Sequence, residues 1–512
     1  MAAAALTLTC TMTVLTSCTN DVNDNPVIAP EPEPEQLAEY TIMYYANGGA
    51  NVDGCILPML EDFYMANPDA FKRVNVVVQY KFSTTENMKA QGYEEDYSNY
   101  YGSKTFRWSV DPSKDLYQQL SESANLYDSG NADCTCPDSL TNFINWTAQA
   151  YPAKKYMLIV NDHGGGYMPH DDLPKTASAT TRGLLYDDGY DQKHFTVKSF
   201  TRAIRSANVR FETIYMLACL MNNLEYQFEL QDLCDYVIAS TYSMPAWGGA
   251  LYELPELLSQ PDVDIERALD AYCKADVASW DDPISGEEES PFYADLTVTR
   301  TRNIPHLGEV LREFTDRLCD TYANGTEAQK LAIDSCTART VKVQLNRPSY
   351  DAVKYVRSLI DALPEVYDDE FLYRMGDAFN NCIVAQYFSK YLTTHDYMVD
   401  YSVMLGAYGA YSIAFWEKDE ATGTQIPYFE NVFAEDGELY GFKLVPTEDE
   451  HYYQMEPVGE PGYWGSTLAD TYEQLTFDRV VGWSRWLRLN NQWPNLFCPN
   501  DLNFELPMPE EK

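Results

Sequence analysis

Positive charge is what this chain of 512 residues has least of: 36 Lys+Arg stand against 78 Asp+Glu, a formal net charge of −42. Phosphate binding needs a basic surface, so the balance argues against nucleic acid as the main partner, and equally against docking on anionic lipid. Long apolar runs are missing too, since no internal stretch approaches the ~20 apolar residues of a membrane-spanning helix. The 12 cysteines show no spacing of a disulfide framework. With Cys10 and Cys18 set aside and one residue reserved as a nucleophile, an odd number is left, which cannot all pair. Cys134-Thr-Cys136 has no second Cys or His pair at ligand spacing near it, and His306, His395 and His451 are scattered, so no metal site is expected from these residues. There is no internal repeat. What is present is a hydrophobic content of 45% with 14% aromatics, enough for a folded core. The length suggests about two to four domains, and the acidity reads as a soluble, self-repelling surface.

The N-terminus reads as an address. Ala2 to Leu15 is small and apolar, about the length of a signal-peptide core, and it ends in Leu15-Thr16-Ser17-Cys18. This resembles a bacterial lipobox with Cys18 as the lipidated residue, although no Lys or Arg precedes the apolar run. Residues 18–38 follow as an acidic, Pro- and Glu-rich tether, extended and solvated. The expected order is a signal peptide over 1–17, the tether, a catalytic domain over 39–280 and a C-terminal domain over 281–512. The acidic loop Asp281 to Ser290 marks the last boundary. A lipoprotein of the cell envelope, outer-membrane or surface-anchored, follows, with the lipid as its one membrane contact.

Five short apolar runs predict buried strands: Tyr40–Tyr45, Val74–Tyr80, Tyr156–Val160, Ile214–Leu217 and Tyr236–Ser240. Helical periodicity lies between and after them, over Val52–Asn67, Leu140–Ala150, Thr196–Ala207, Leu224–Cys234, Ile265–Trp280, Ile304–Tyr322, Ala352–Leu363 and Leu475–Asn490. Tyr408–Trp416 reads as a further strand. Continuous apolar runs separated by helices imply an α/β fold, a mostly parallel sheet with helices on both faces, plus a mixed helical and strand C-terminal region. In such sheets ligands bind beyond the C-terminal strand ends. Two strand ends carry chemistry. One is Asn161-Asp162-His163-Gly164-Gly165-Gly166, and the next is Ala218-Cys219-Leu220-Met221. A thiolate is a nucleophile that a nearby His can deprotonate or stabilise. Glycines beside the His let backbone N–H groups approach a substrate carbonyl, and the N–H of Cys219 would supply a second donor. A buried core Cys beside a Gly-rich turn would give the same pattern without chemistry.

The run Tyr151 to Val160 leading into Asp162-His163-Gly164-Gly165-Gly166, with Ala218-Cys219-Leu220-Met221 and Glu225, resembles the clostripain family of cysteine peptidases, of the caspase-like clan. Ser139 to Trp146, Tyr186-Asp187-Asp188 with Phe195 to Ala207, and Tyr472 to Phe477 with Gly482-Trp483-Ser484 are similar to other stretches of that family. The resemblance implies a caspase-like fold, Cys219 as nucleophile, His163 as general base and acid, and the N–H groups of Gly164 and Cys219 as oxyanion donors. Asp162 is a poor third member, because adjacent side chains on a strand point to opposite faces.

The departures concern specificity. Peptidases of this kind cut after Arg or Lys, and the family pattern has an Asp two residues before the Cys, where Leu217 stands here. Ser240 to Gly249 keeps a Pro and a Gly but has Met244 and Gly249 where an acid and a Trp are expected. A guanidinium buried beside Leu and Met would lack a partner at a cost of about several kcal/mol. A pocket of Leu217, Tyr242 and Met244 would favour an apolar or small P1 residue. Residues 168–183, with Lys175, Arg182 and His170, read as an exposed loop, the place where relatives mature by self-cleavage. Ser83 to Cys136 is an acidic, Tyr-rich excursion, read as a surface insertion or as an overhang of the cleft. No cofactor is required by the dyad. The resemblance allows Ca²⁺, for which acidic loops such as Pro446 to Glu450 exist without EF-hand spacing.

The leading reading is a clostripain-type cysteine endopeptidase using a Cys–His dyad on protein or peptide substrates. The alternative is a catalytically reduced envelope lipoprotein that binds protein or peptide. Loss of the pocket acids favours the alternative and retention of both His163 and Cys219 opposes it. A transpeptidase on the same dyad is a third possibility.

Overall fold

The computed structural model describes residues 37–93, 102–122, 127–166, 183–190, 193–245, 249–281, 294–339, 349–394 and 472–489, with short strands between 412 and 507. The signal peptide, Cys18, the tether, the 168–182 loop, His170 and most of Tyr408–Trp416 lie outside these residues.

The strands of the main sheet are β1 (Ala38–Asn47), β2 (Val74–Lys81), β3 (Thr105–Ser109), β4 (Tyr127–Gly130), β5 (Ala153–Asn161), β8 (Phe211–Leu217), β9 (Cys234–Ala239), β10 (Asp295–Arg300) and β12 (Ile383–Phe388). A hairpin, β6 (Leu184–Asp187) with β7 (Lys193–Phe195), and a short strand, β11 (Ser349–Asp351), lie outside it. The nine sheet strands run in the order β12-β10-β9-β8-β5-β1-β2-β3-β4. The five predicted strands are its parallel centre, β2-β1-β5-β8-β9, and antiparallel pairs extend both edges. The apolar runs are continuous because both faces are covered. Met43, Leu158 and Met216 enter one apolar cluster, while their neighbours Tyr44, Ile159 and Tyr215 enter the other.

The first cluster packs under α4 (Pro137–Ala150), α5 (Val197–Ser206), α6 (Leu224–Leu230), α9 (Ile304–Asn324), α10 (Glu327–Arg339), α11 (Ala352–Ala362) and α12 (Asp369–Cys382). The second packs under α1 (Asp53–Met65), α3 (Leu116–Ser121), α7 (Glu253–Leu258) and α8 (Ile265–Ser279), with α2 (Thr85–Ala90) over the end of β2. Side-chain caps set several helix starts: Thr196 and Ser199 form a capping box on α5, and Asn223, Asp264, Asp351 and Asp368 cap α6, α8, α11 and α12.

Three expectations are corrected. Leu224–Cys234 is helical only to Leu230, and Cys234 opens β9. Leu475–Asn490 is two short helices, Thr476–Val481 and Trp483–Leu489, because Gly482 ends the first in the left-handed conformation (φ 74°). The Ser83 to Cys136 excursion supplies β3 and β4, which continue the sheet. The sheet continues past residue 281, where β10 and β12 hydrogen-bond onward from β9, and residues 37–512 cluster as one compact unit.

Candidate active site

β5 and β8 lie side by side, with Asn161 opposite Leu217 at their C-terminal ends. His163 and Cys219 each stand two residues further on, so the register brings their turns together. The contact is close. A Cβ on Gly164 would collide with the Cys219 carbonyl oxygen and lie 2.8 Å from the Cys219 nitrogen, so only glycine lets the two backbones meet. Residues 163–165 also form a short ladder with the start of β6: Gly165 N–H donates to the Gly183 carbonyl at 2.8 Å, and Leu185 N–H to that of His163 at 3.1 Å. Gly164 faces Leu184 between these two bonds, where the N–H groups of an antiparallel pair point away from the partner strand.

The His163 ring is held from β1. Its Nε2 lies 2.7 Å from the Asn51 Oδ1, and Gly49 (φ 49°) packs so closely that a Cβ there would sit 2.9 Å from the imidazole Cδ2. The turn that carries Asn51 is fixed by the buried Asp53 at the start of α1. The Asp53 carboxylate accepts from Tyr80 Oη at 2.8 Å, Gln91 Nε2 at 2.9 Å and Ser83 N–H at 3.3 Å. Burial raises its pKa against the pull of these donors. Asp162 spends its oxygens on the backbone, accepting at 2.5 Å from each of His163 N–H and Tyr186 N–H. It therefore ties the turn to the hairpin. The hairpin in turn is locked to β2 by a buried ion pair, with Lys81 Nζ 2.7 Å from both Asp187 carboxylate oxygens and 2.8 Å from the Ala132 carbonyl.

The Cys219 turn is held by backbone. Met244 N–H lies 3.2 Å from the Cys219 sulfur. Leu220 N–H donates to the Tyr242 carbonyl at 3.0 Å, and Asn222 N–H to that of Ser240 at 2.8 Å. Leu220 is left-handed (φ 65°), a costly conformation for a bulky side chain and one that clusters at functional sites. The 240–244 segment is itself anchored on the fully buried Asp295 of β10, which accepts from Thr241 N–H at 2.7 Å, Ser240 Oγ at 2.8 Å and Tyr242 N–H at 3.0 Å. Burial pushes the Asp295 carboxyl up to about 6, against these donors.

The three residues expected to form one pocket do not share one apolar cluster. Leu217 and Met244 belong to the α1/α8 side, whereas Tyr242 packs with Leu220 and Leu392. Two acids adjoin Gly249 and Ala250. Asp276 accepts from Ala250 N–H at 2.6 Å and Tyr215 Oη at 3.3 Å, and a Cβ on Gly249 would touch both Asp276 and Asp62. Burial raises Asp276 to about 6 and Asp62 to about 7, the latter also through the Asp276 charge. Among the described residues no group of three or more His, Cys, Asp or Glu is set to hold a metal. Both Asp187 carboxylate oxygens are taken by Lys81.

Asn51 escaped the sequence reading. The signal was available: Asn47-Gly48-Gly49-Ala50-Asn51 also follows a parallel strand, where the strand-end rule points to function.

The sequence profile of the clostripain family, peptidase family C11, matches residues 109–402, more than half of the chain. The chain belongs to this family of cysteine peptidases. Clostripain of Hathewaya histolytica is 22% identical over 240 residues, 45% of this chain and 43% of that protein, so the match spans less than half the length of this curated relative. Among solved structures, a secreted C11 cysteine protease from Bacteroides thetaiotaomicron, iotapain, superposes with a TM-score of 0.52 at 16% identity, over 74% of this chain and 94% of that one. A secreted C11 cysteine protease of the same organism in complex with an irreversible peptide inhibitor gives 0.52 at 14% identity, over 87% and 99%. At such identities the likeness concerns the fold: a mostly parallel sheet flanked by helices.

Proposed function

We propose that this chain is a cysteine endopeptidase of the clostripain type, with Cys219 as nucleophile and His163 as general base and acid. The observation that carries the reading is the packing of Gly164 on the Cys219 backbone, which sets the His and Cys turns at one point beyond the sheet. An amide oxygen only accepts, so the contact with Asn51 Oδ1 assigns the imidazole proton to Nε2 and makes Nδ1 the basic nitrogen. The Cys219 sulfur attacks the scissile carbonyl carbon and its proton passes to His163 Nδ1. The resulting oxyanion is met by the N–H groups of Gly164 and Cys219. The tetrahedral intermediate collapses to a thioester as the proton moves to the leaving amine, and water, deprotonated by the same imidazole, hydrolyses the thioester. Asn51 acts as a positioning residue by fixing the ring and its tautomer.

P1 preference is apolar or small rather than strictly Arg or Lys. Leu217 and Met244 stand where the family pattern has acids. Asp62 and Asp276, beside Gly249, have raised pKa values, and Asp276 is engaged by a backbone N–H and a tyrosine hydroxyl. Protein or peptide is the substrate, as the peptide inhibitor bound to the Bacteroides protease suggests. Export to the cell envelope on a lipidated Cys18 is the matching location. No helix among the described residues is long and apolar enough to cross a membrane. Cleavage of a P1-varied peptide library by the wild type, with Cys219→Ala as control, tests the assignment. Cys219-dependent cleavage after apolar or small residues is expected. Strict cleavage after Arg or Lys overturns the specificity, and cleavage that survives Cys219→Ala overturns the nucleophile.

A further inference from the structure

The flank formed by α5, the end of α6 and residues 474–479 holds a cavity of about 410 Å³ lined by Lys198, Arg202, Arg205, Arg479, Glu229 and Gln474 among others. Four cations share one cavity in a chain with a formal charge of −42. None of the four makes an ion pair among the described residues. Lys198 Nζ reaches only Gln474, at 3.3 Å to both its carbonyl and side-chain oxygens. Arg205 reaches the Glu229 carbonyl at 3.3 Å, and Arg479 the Thr476 hydroxyl at 3.1 Å. Arg202 has no hydrogen-bond partner among the described residues. The lone acid lining it, Glu229, is buried and accepts from Thr476 N–H at 2.6 Å. Several surface cations elsewhere are matched with carboxylates, as in Arg210–Asp235, Arg357–Asp361 and Arg485–Asp316.

This clustering works against stability. Lys198, Arg202 and Arg205 follow one another at i, i+4 and i+7 on one face of α5, where like charges repel. Burial lowers the Lys198 ammonium below its ordinary value, with Glu229 opposing and Arg479 adding to the shift. An arrangement that leaves guanidinium forks unpaired in a concave site has the chemistry that recognises tetrahedral oxyanions, which accept paired N–H bonds from arginine.

We propose that this cavity is a binding site for a phosphate or sulfate group, carried by a small phosphorylated or sulfated molecule, separate from the Cys219–His163 cleft. The ligand would join α5 to the 474–479 segment through Arg202 and Arg479, taking the place of the missing carboxylates.

Isothermal titration of the full chain, at constant ionic strength set with NaCl, tests this with two probes: inorganic pyrophosphate and a sulfated disaccharide. Saturable binding with one site is expected for at least one probe, weakened at least tenfold in the Arg202→Gln, Arg479→Gln double variant. Both side chains are exposed and neither makes an ion pair, so the variant's thermal midpoint without ligand should match the wild type. Tighter binding of pyrophosphate identifies a phosphoryl ligand, and tighter binding of the disaccharide a sulfated glycan. No saturable binding of either probe, or equal binding by wild type and double variant, overturns the proposal.

Discussion

The two turns of the cleft are built differently. His163 is held by side chains sent from other segments: Asn51 from the end of β1, Asp162 onto the hairpin, and Lys81 with Asp187 beneath. Cys219 is held by the main chain of residues 240–244, which rests on Asp295. Side chains can be changed one at a time without moving a backbone, so the His side should detune in steps. The Cys side should fail only when the 240–244 segment is lost. This division suits the chemistry. In the proposed mechanism the imidazole changes protonation during each turnover and gains from an adjustable partner, whereas the sulfur and the two N–H donors need fixed positions.

Substitutions can break this contrast, and the largest effect belongs to the reacting groups. His163→Ala should lower peptide turnover by at least about 10³-fold with an unchanged thermal midpoint, as losses of members of a catalytic unit do. A variant that keeps near-wild-type turnover would remove His163 from the mechanism. Next comes the buried ion pair. Lys81→Met leaves Asp187 uncompensated and should destabilise the fold by about 3–5 kcal/mol in denaturant unfolding. A neutral result would separate the hairpin from the support of the His turn. Asn51→Ala deletes one hydrogen bond to the imidazole, worth about 1–3 kcal/mol. Turnover should fall about 10- to 100-fold with little change in KM, and Asn51→Asp should recover part of it, since an acceptor returns.

The smallest effect lies outside both turns, at Asp62. Burial raises its pKa to about 7, so the folded chain holds this proton more tightly than the unfolded one. The stability it contributes is complete below about pH 4, the unfolded value, and is lost as pH rises through about 7. Asp62→Asn should therefore flatten the fall of the thermal midpoint between those limits and leave the variant relatively more stable at pH 8. Part of the slope should persist to about pH 6 because Asp276 titrates in the same direction.

The parallel centre of the sheet was legible because its strands are apolar on both faces. The antiparallel edges were not. β10, Asp295 to Arg300, carries Asp295, Thr297 and Thr299 fully buried. Asp295 satisfies the 240–242 loop and Thr297 meets Asp295 and Gln386, so only Leu296 and Val298 supply an apolar alternation, too short to mark a strand. β3 has only five residues and sits inside an acidic stretch. The proposed nucleophile and base come from residue type at strand ends, and the residues that support their turns had no such signal. Asn51, Asp53 and Asp295 act across long sequence separations on backbone groups, and no local spacing announces such contacts. Packing is equally silent in the sequence: Leu217 ends β8 and Tyr242 follows the neighbouring β9, yet they pack into different clusters.

The central claim is that Cys219 is the thiol activated by His163. Treating the full chain with an acyloxymethyl ketone probe bearing a small apolar P1 group, then mapping the adduct by peptide mass spectrometry, tests it most directly. A single adduct on the Cys219 peptide, formed at least about 100-fold more slowly in His163→Ala, is the predicted result. An adduct on any of the other 11 cysteines, or labelling of Cys219 at the same rate without His163, would contradict it.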